Sequence, residues 1–156
     1  MARNGHDSIL DGVDLLALAV GCLLPNPKYE TQMILGLDHV QITVPTGQEA
    51  AAREFYCGVL GLPEIEKPDA LKPRGGFWLA VGNRELHVGT EAGVDRSATK
   101  AHVAFAVDDL SFWRSKLSER GCVLEDGVPI PGCTRFEFRD PFGNRVEMIE
   151  RAALDA

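Results

Sequence analysis

The chain has 156 residues, the length of one ordinary domain, of which 45% are hydrophobic and 25% charged. Sixteen basic against 23 acidic side chains leave a formal net charge of −7. That balance argues against the broad basic face of a nucleic-acid binder and against a polybasic membrane anchor, leaving small molecules, metal ions and other proteins as partners.

Residues 1–34 read as an N-terminal extension. A polar start leads into an apolar, helix-like run from Val13 to Leu24, a breaker at Pro25-Asn26-Pro27, and Met33 directly before the first strong strand. A start codon set too far upstream and a helix that packs on the domain or a partner would both look like this. The run is too short to span a bilayer. Asp7, Asp11 and Asp14 precede it where an export signal carries basic residues. The four cysteines form no C-x-x-C pair, so a cytoplasmic protein with free thiols is expected.

From Leu35 onward the pattern is regular. Leu37 to Val44 alternates apolar and polar residues as a half-buried strand does. Thr46-Gly47-Gln48-Glu49 has capping-box spacing, with Thr46 as the expected N-cap of a helix running to about Val59 and stopped by Gly61. Strands are expected near Leu62–Glu66, over Phe77–Val81 and, after a Gly82-Asn83 turn, over Glu85–Gly89. The order then repeats. Ala101–Val107 reads as a strand, Asp108 or Asp109 opens a helix to Arg120, and strands follow near Val123, over Arg135–Arg139 and over Arg145–Glu150. His39 and His102 open the two copies 63 residues apart, and Gly82-Asn83-Arg84 and Gly143-Asn144-Arg145 mark matching turns. The expectation is an α+β fold of two tandem βαβββ modules, 35–90 and 100–152, with curled mixed sheets around a cavity and the helices outside.

Strand parity gives the histidines a direction. Val40, Ile42 and Val44 share one face of the first strand, so His39, Gln41 and Thr43 share the other. The same reading separates His102 from Val103 and Phe105, His87 from Leu86 and Val88, and Glu147 from Val146 and Met148. His39, His87, His102 and Glu147 therefore lie on the faces away from the helices, on the first or fourth strand of each repeat. Three imidazoles and one carboxylate converging in a shared cavity would suit a first-row divalent metal. Against this stands the blander reading that strand histidines are core or surface residues.

LDHVQITV, EFYCGVLGL, AHVAFAVDDL and above all FRDPFGNRVEMIE resemble the vicinal oxygen chelate superfamily, which holds glyoxalase I, extradiol dioxygenases, an epimerase, and the fosfomycin and bleomycin resistance proteins. The resemblance runs through residues 35–150 and implies a glyoxalase-like domain over 35–152. It implies metal ligation by His39, His87, His102 and Glu147, with Ni, Zn, Mn, Co or Fe as the ion, and a homodimer, in some members with exchanged modules. It further implies a lyase, isomerase or ring-cleaving dioxygenase acting on a small molecule with adjacent oxygens. In that reading Glu147 doubles as a catalytic base, and Gln41, Thr43, Trp78 and Arg135 are candidate substrate contacts. Thr43 and Glu91-Ala92-Gly93 stand where glyoxalase I carries its glutathione residues, a departure from that member. The alternative is a metal-free protein that sequesters a small molecule or antibiotic, as bleomycin resistance proteins do.

Overall fold

The computed structural model describes residues 33–152; the apolar run at Val13–Leu24 lies outside them. Each half of the described chain builds a four-stranded mixed sheet. In the first, β1 (His39–Val44), β2 (Glu64–Ile65), β3 (Phe77–Val81) and β4 (Arg84–Thr90) lie in the order β1-β4-β3-β2. In the second, β5 (His102–Ala106), β6 (Leu124–Asp126), β7 (Cys133–Arg139) and β8 (Arg145–Arg151) lie in the order β5-β8-β7-β6. The first and fourth strands of each module pair in parallel, and the other pairs are antiparallel. The α+β fold of two tandem βαβββ modules is thus as expected. Among the described residues no helix is long and apolar enough to cross a membrane.

Local chemistry explains most element boundaries. The second module's helix, α2 (Leu110–Glu119), starts where Asp109 accepts a hydrogen bond from the Phe112 amide at 2.9 Å. It ends as the Cys122 amide reaches back to the Leu117 carbonyl and Gly121 adopts a φ of 79°. The first module departs from expectation at this point. Helix α1 (Glu49–Arg53) has Gln48 as its N-cap and no side-chain cap bond, so the Thr46–Glu49 capping box does not form. The reason is Gly47, whose φ of 83° turns the chain while the Gln48 amide bonds to the Pro45 carbonyl at 3.0 Å. Thr46 is left two residues ahead of the N-cap. α1 continues as a π-helical segment, Glu54–Val59, which places Phe55, Tyr56 and Val59 in the core.

One hydrophobic cluster draws on both modules, including Val44, Phe55, Leu79 and Val88 from the first and Phe105, Leu117, Phe136 and Met148 from the second. In β1 and β5 burial follows the parity, with Val44 and Phe105 buried and His39, Gln41, His102 and Ala104 exposed on the opposite faces. In β4 and β8 both faces are covered, and His87 and Glu147 are buried too. The Asp140-Pro141-Phe142-Gly143-Asn144 turn joins the modules. Asp140, 4% exposed, accepts from the Tyr56 hydroxyl at 2.6 Å, from the Phe142 and Asn144 amides at 2.9 and 2.7 Å, and from the Asn144 side chain at 2.8 Å. Burial, with the Asp140 carboxylate beside it, holds the Tyr56 phenol well above its usual pKa, so it stays a donor. Asn144 also donates to the Thr43 carbonyl at 3.0 Å, and buried Arg96 donates to that same carbonyl at 2.7 Å. This seam sets the end of β1 beside the start of β8.

Ahead of β3, Gly76 takes a φ of 75°, and a Cβ there would collide with the Val88 carbonyl oxygen of β4. Gly76→Ala should therefore cost about 2–4 kcal/mol in urea unfolding, from a strained dihedral plus a backbone clash; a loss under ~1 kcal/mol would contradict the close approach.

Candidate metal centre

The four expected ligands occupy equivalent places in the two sheets. His39 and His102 open β1 and β5 and pair in register with Glu85 and Arg145. His87 and Glu147 stand two residues further along β4 and β8, opposite Gln41 and Ala104. The structure brings them together as two pairs. The His39 and His87 rings stack with centroids 4.0 Å apart, and His102 Nε2 lies 3.0 Å from Glu147 Oε2. Among the described residues no group of three or more His, Cys, Asp or Glu side chains is arranged as a metal site.

The hydrogen bonds show which ring nitrogens are free. His102 Nδ1 lies 3.0 Å from the Lys100 carbonyl oxygen, which can only accept, so Nδ1 carries the proton. His39 Nδ1 lies 2.8 Å from Asp38 Oδ1, and that bond holds the Asp38 carboxyl below its usual range, hence ionised. Both first-strand imidazoles therefore turn Nδ1 to an outer acceptor and leave Nε2 as the nitrogen available to a ligand, the arrangement in which an outer acceptor orients a ligating histidine. At His102, Nε2 faces a carboxylate oxygen. Two acceptors 3.0 Å apart repel unless a second proton or a cation lies between them. His87 differs. Its Nε2 meets Glu85 Oε2 at 2.8 Å, and its ring, 7% exposed, is stacked between His39 and Trp78, the latter with centroids 4.0 Å apart and planes 2° apart. Only Nδ1 of His87 remains free to ligate.

Arg135 faces inward between two carboxylates, with Nη1 at 3.1 Å from Glu147 Oε1 and 3.2 Å from Glu137 Oε1. The hydrogen bond to Glu147, above all, holds the guanidinium more firmly protonated. Arg145 closes the network from the other side of Glu137. Glu147 and Glu137 are both buried, at 5% and 7% exposure. A Cβ on Gly127 would lie 2.6 Å from the Arg135 guanidinium carbon, so this glycine leaves the room Arg135 occupies. Gly127→Ala should push Arg135 aside and leave Glu147 without its guanidinium. The measurable outcome is a weakened metal affinity, by about tenfold, at nearly unchanged stability.

Two neighbouring cavities of about 410 Å³ flank these pairs. One is lined by His39, Trp78 and His87, the other by Thr43, His102 and Arg145, and Gln41 lines both. Sequence reasoning had marked Gln41, Thr43, Trp78 and Arg135. Of these, Gln41 and Trp78 face the first cavity, Thr43 is tied to Arg96 across the seam, and Arg135 is engaged by carboxylates. It missed Glu137, although the alternation around Phe136 and Phe138 puts that residue on the open face. It also missed Asp38 and Glu85, whose adjacency to ligand positions was the available signal.

A family model described as the glyoxalase/bleomycin resistance protein/dioxygenase superfamily matches residues 36–148. The chain belongs to this superfamily. A solved Bacillus anthracis protein described as a glyoxalase family member is 41% identical, covering 77% of this chain and 98% of its own, with a TM-score of 0.71. The fosfomycin resistance protein FosX from Listeria monocytogenes, solved with Mn(II) and sulfate, is 16% identical with a TM-score of 0.59, covering 79% of this chain and 94% of its own. The antibiotic-binding protein TnmS3 from a Streptomyces species is 18% identical with a TM-score of 0.60, covering 78% of this chain and 100% of its own. The last two share the fold. No functionally curated protein matched the sequence.

Proposed function

We propose that the protein is a divalent-metal-dependent enzyme acting on a small molecule with adjacent oxygens, with His39, His102 and Glu147 as ligands and His87 as the fourth. One observation carries this reading: at His102 Nε2 lies 3.0 Å from a buried carboxylate oxygen while Nδ1 is taken by an outer carbonyl, and at His39 Nδ1 is taken by an outer carboxylate. The donor set of imidazole nitrogens and one carboxylate suits Mn, Fe, Co, Ni or Zn. The Mn(II) complex of the FosX fold relative supports the same direction. A cation bound there would supply Lewis-acid polarisation of the substrate's adjacent oxygens.

The chain's own residues do the rest. Arg135 holds Glu147 Oε1 and leaves Oε2 turned towards His102, which fixes the carboxylate plane. Burial of Glu147 shields it from water, so a proton taken by Oε2 would stay near the substrate. Trp78, stacked on His87, lines the first cavity, and Gln41 offers an amide to a substrate lying between the cavities.

The test is elemental analysis of untagged protein purified without chelators. About one transition-metal ion per chain is expected, with His39→Ala and Glu147→Ala empty. Wild-type protein that neither retains nor takes up such an ion would sink the proposal and favour the sequestering role, for which the fold likeness to TnmS3 is the observation in hand.

A further inference from the structure

The cavity beside His39 is set apart by its charge. Its wall includes Lys67 and Arg74 and no carboxylate, in a chain with 23 acidic against 16 basic residues. Four other cavities among the described residues each contain at least one acid: Glu137 in the largest, and Glu150, Glu64 and Asp95 in the others. Near the His39 cavity the acids Asp38 and Glu85 are tied to the two histidines, and Glu49, outside the wall itself, brings one carboxylate oxygen close to Gly75.

The segment that supplies the cations is built to hold its place. After Pro68 a 3-10 turn, Asp69–Arg74, carries Leu71 and Arg74 into the wall, while Lys72 in the same turn pairs outward with Asp69 and Glu66. Lys67 donates to the Gly75 carbonyl and so ties the start of the segment to its end. Gly76 then presses the chain onto β4. One bond to a carbonyl leaves the Lys67 ammonium two further donors, and Arg74 has no carboxylate partner among the described residues. Lys67 ahead of the turn and the exposed Arg74 at its end both face a cavity of about 410 Å³ and form an oxyanion receptor beside Leu71 and Trp78.

We infer that this site takes a small organic anion whose carboxylate, phosphonate or phosphate group is held by Lys67 and Arg74, at the end of the molecule away from the oxygens that face His39. The second half of the statement rests on the metal-enzyme reading; the first does not.

The experiment compares 3,4-dihydroxybenzoate with 3,4-dihydroxybenzamide, equal in shape and different in charge. The reporter is the Trp78 indole N–H resonance in a Trp113→Phe background, which leaves Trp78 as the single tryptophan. Titrations are run with EDTA and with one equivalent of zinc. The acid should bind at least about tenfold tighter than the amide under both conditions, the scale of charge-assisted hydrogen bonds. In Lys67→Gln/Arg74→Gln, which keeps donors and removes both charges, the ratio should fall towards one. A ratio near one in the parent, a ratio that survives the double substitution, or no shift with either compound would overturn the inference. Zinc that tightens neither compound while the ratio persists would instead remove the metal reading and leave the anion site standing.

Discussion

Asp140→Ala is expected to lower the unfolding free energy by about 3–5 kcal/mol, because it strands several buried donors at once. The Tyr56 hydroxyl, two backbone amides and the Asn144 side chain all lose their acceptor. Tyr56→Phe removes one of these bonds and leaves the carboxylate with its other donors, so it should cost only about 1–2 kcal/mol. Urea denaturation of both variants checks the contrast; equal losses would mean that the turn is not the junction described. The effect should reach the site, since Asn144 spans from Asp140 to the Thr43 carbonyl on the strand that carries His39 and Gln41.

Glu147→Ala is expected to weaken binding of a divalent metal by at least a hundredfold, given that even the outer partners of a ligand are worth about ten- to a hundredfold. The fold should survive, because Arg135 keeps Glu137 as a partner and Glu147 stands on the face away from the core. Competition against a chromogenic chelator gives the affinity, and a thermal melt in EDTA reports the fold separately. Affinity retained within a few fold would take Glu147 out of the ligand set.

Much of this was legible in the sequence because its cause was local. Alternation in LDHVQITV and in RVEMIE follows from the two-sided strand, and the repeat implied two equivalent modules. Asp109 was readable, alongside Asp108, as a candidate cap because its acceptor needs only the next turn of backbone. Thr46 was misread for a reason equally local: Gly47 turns the chain before the helix begins. What could not be read depends on side chains meeting from distant segments. The inward turn of Arg135 needs the space over Gly127, and the stacking of Trp78 on His87 needs the β3–β4 register. The role of the Asp140 turn as a junction required knowing that Tyr56, in the other module, lies against it. The cations of the first cavity come from a turn whose proline and glycine content announces a loop and says nothing of where it points.

The most direct measurement is long-range ¹H–¹⁵N NMR of the histidine rings during a zinc titration. The account predicts that Nε2 of His39 and His102 shifts strongly at one equivalent while Nδ1 of both stays protonated, held by Asp38 and Lys100. Ring nitrogens that do not move at several equivalents of zinc, or a shift confined to Nδ1, would contradict it.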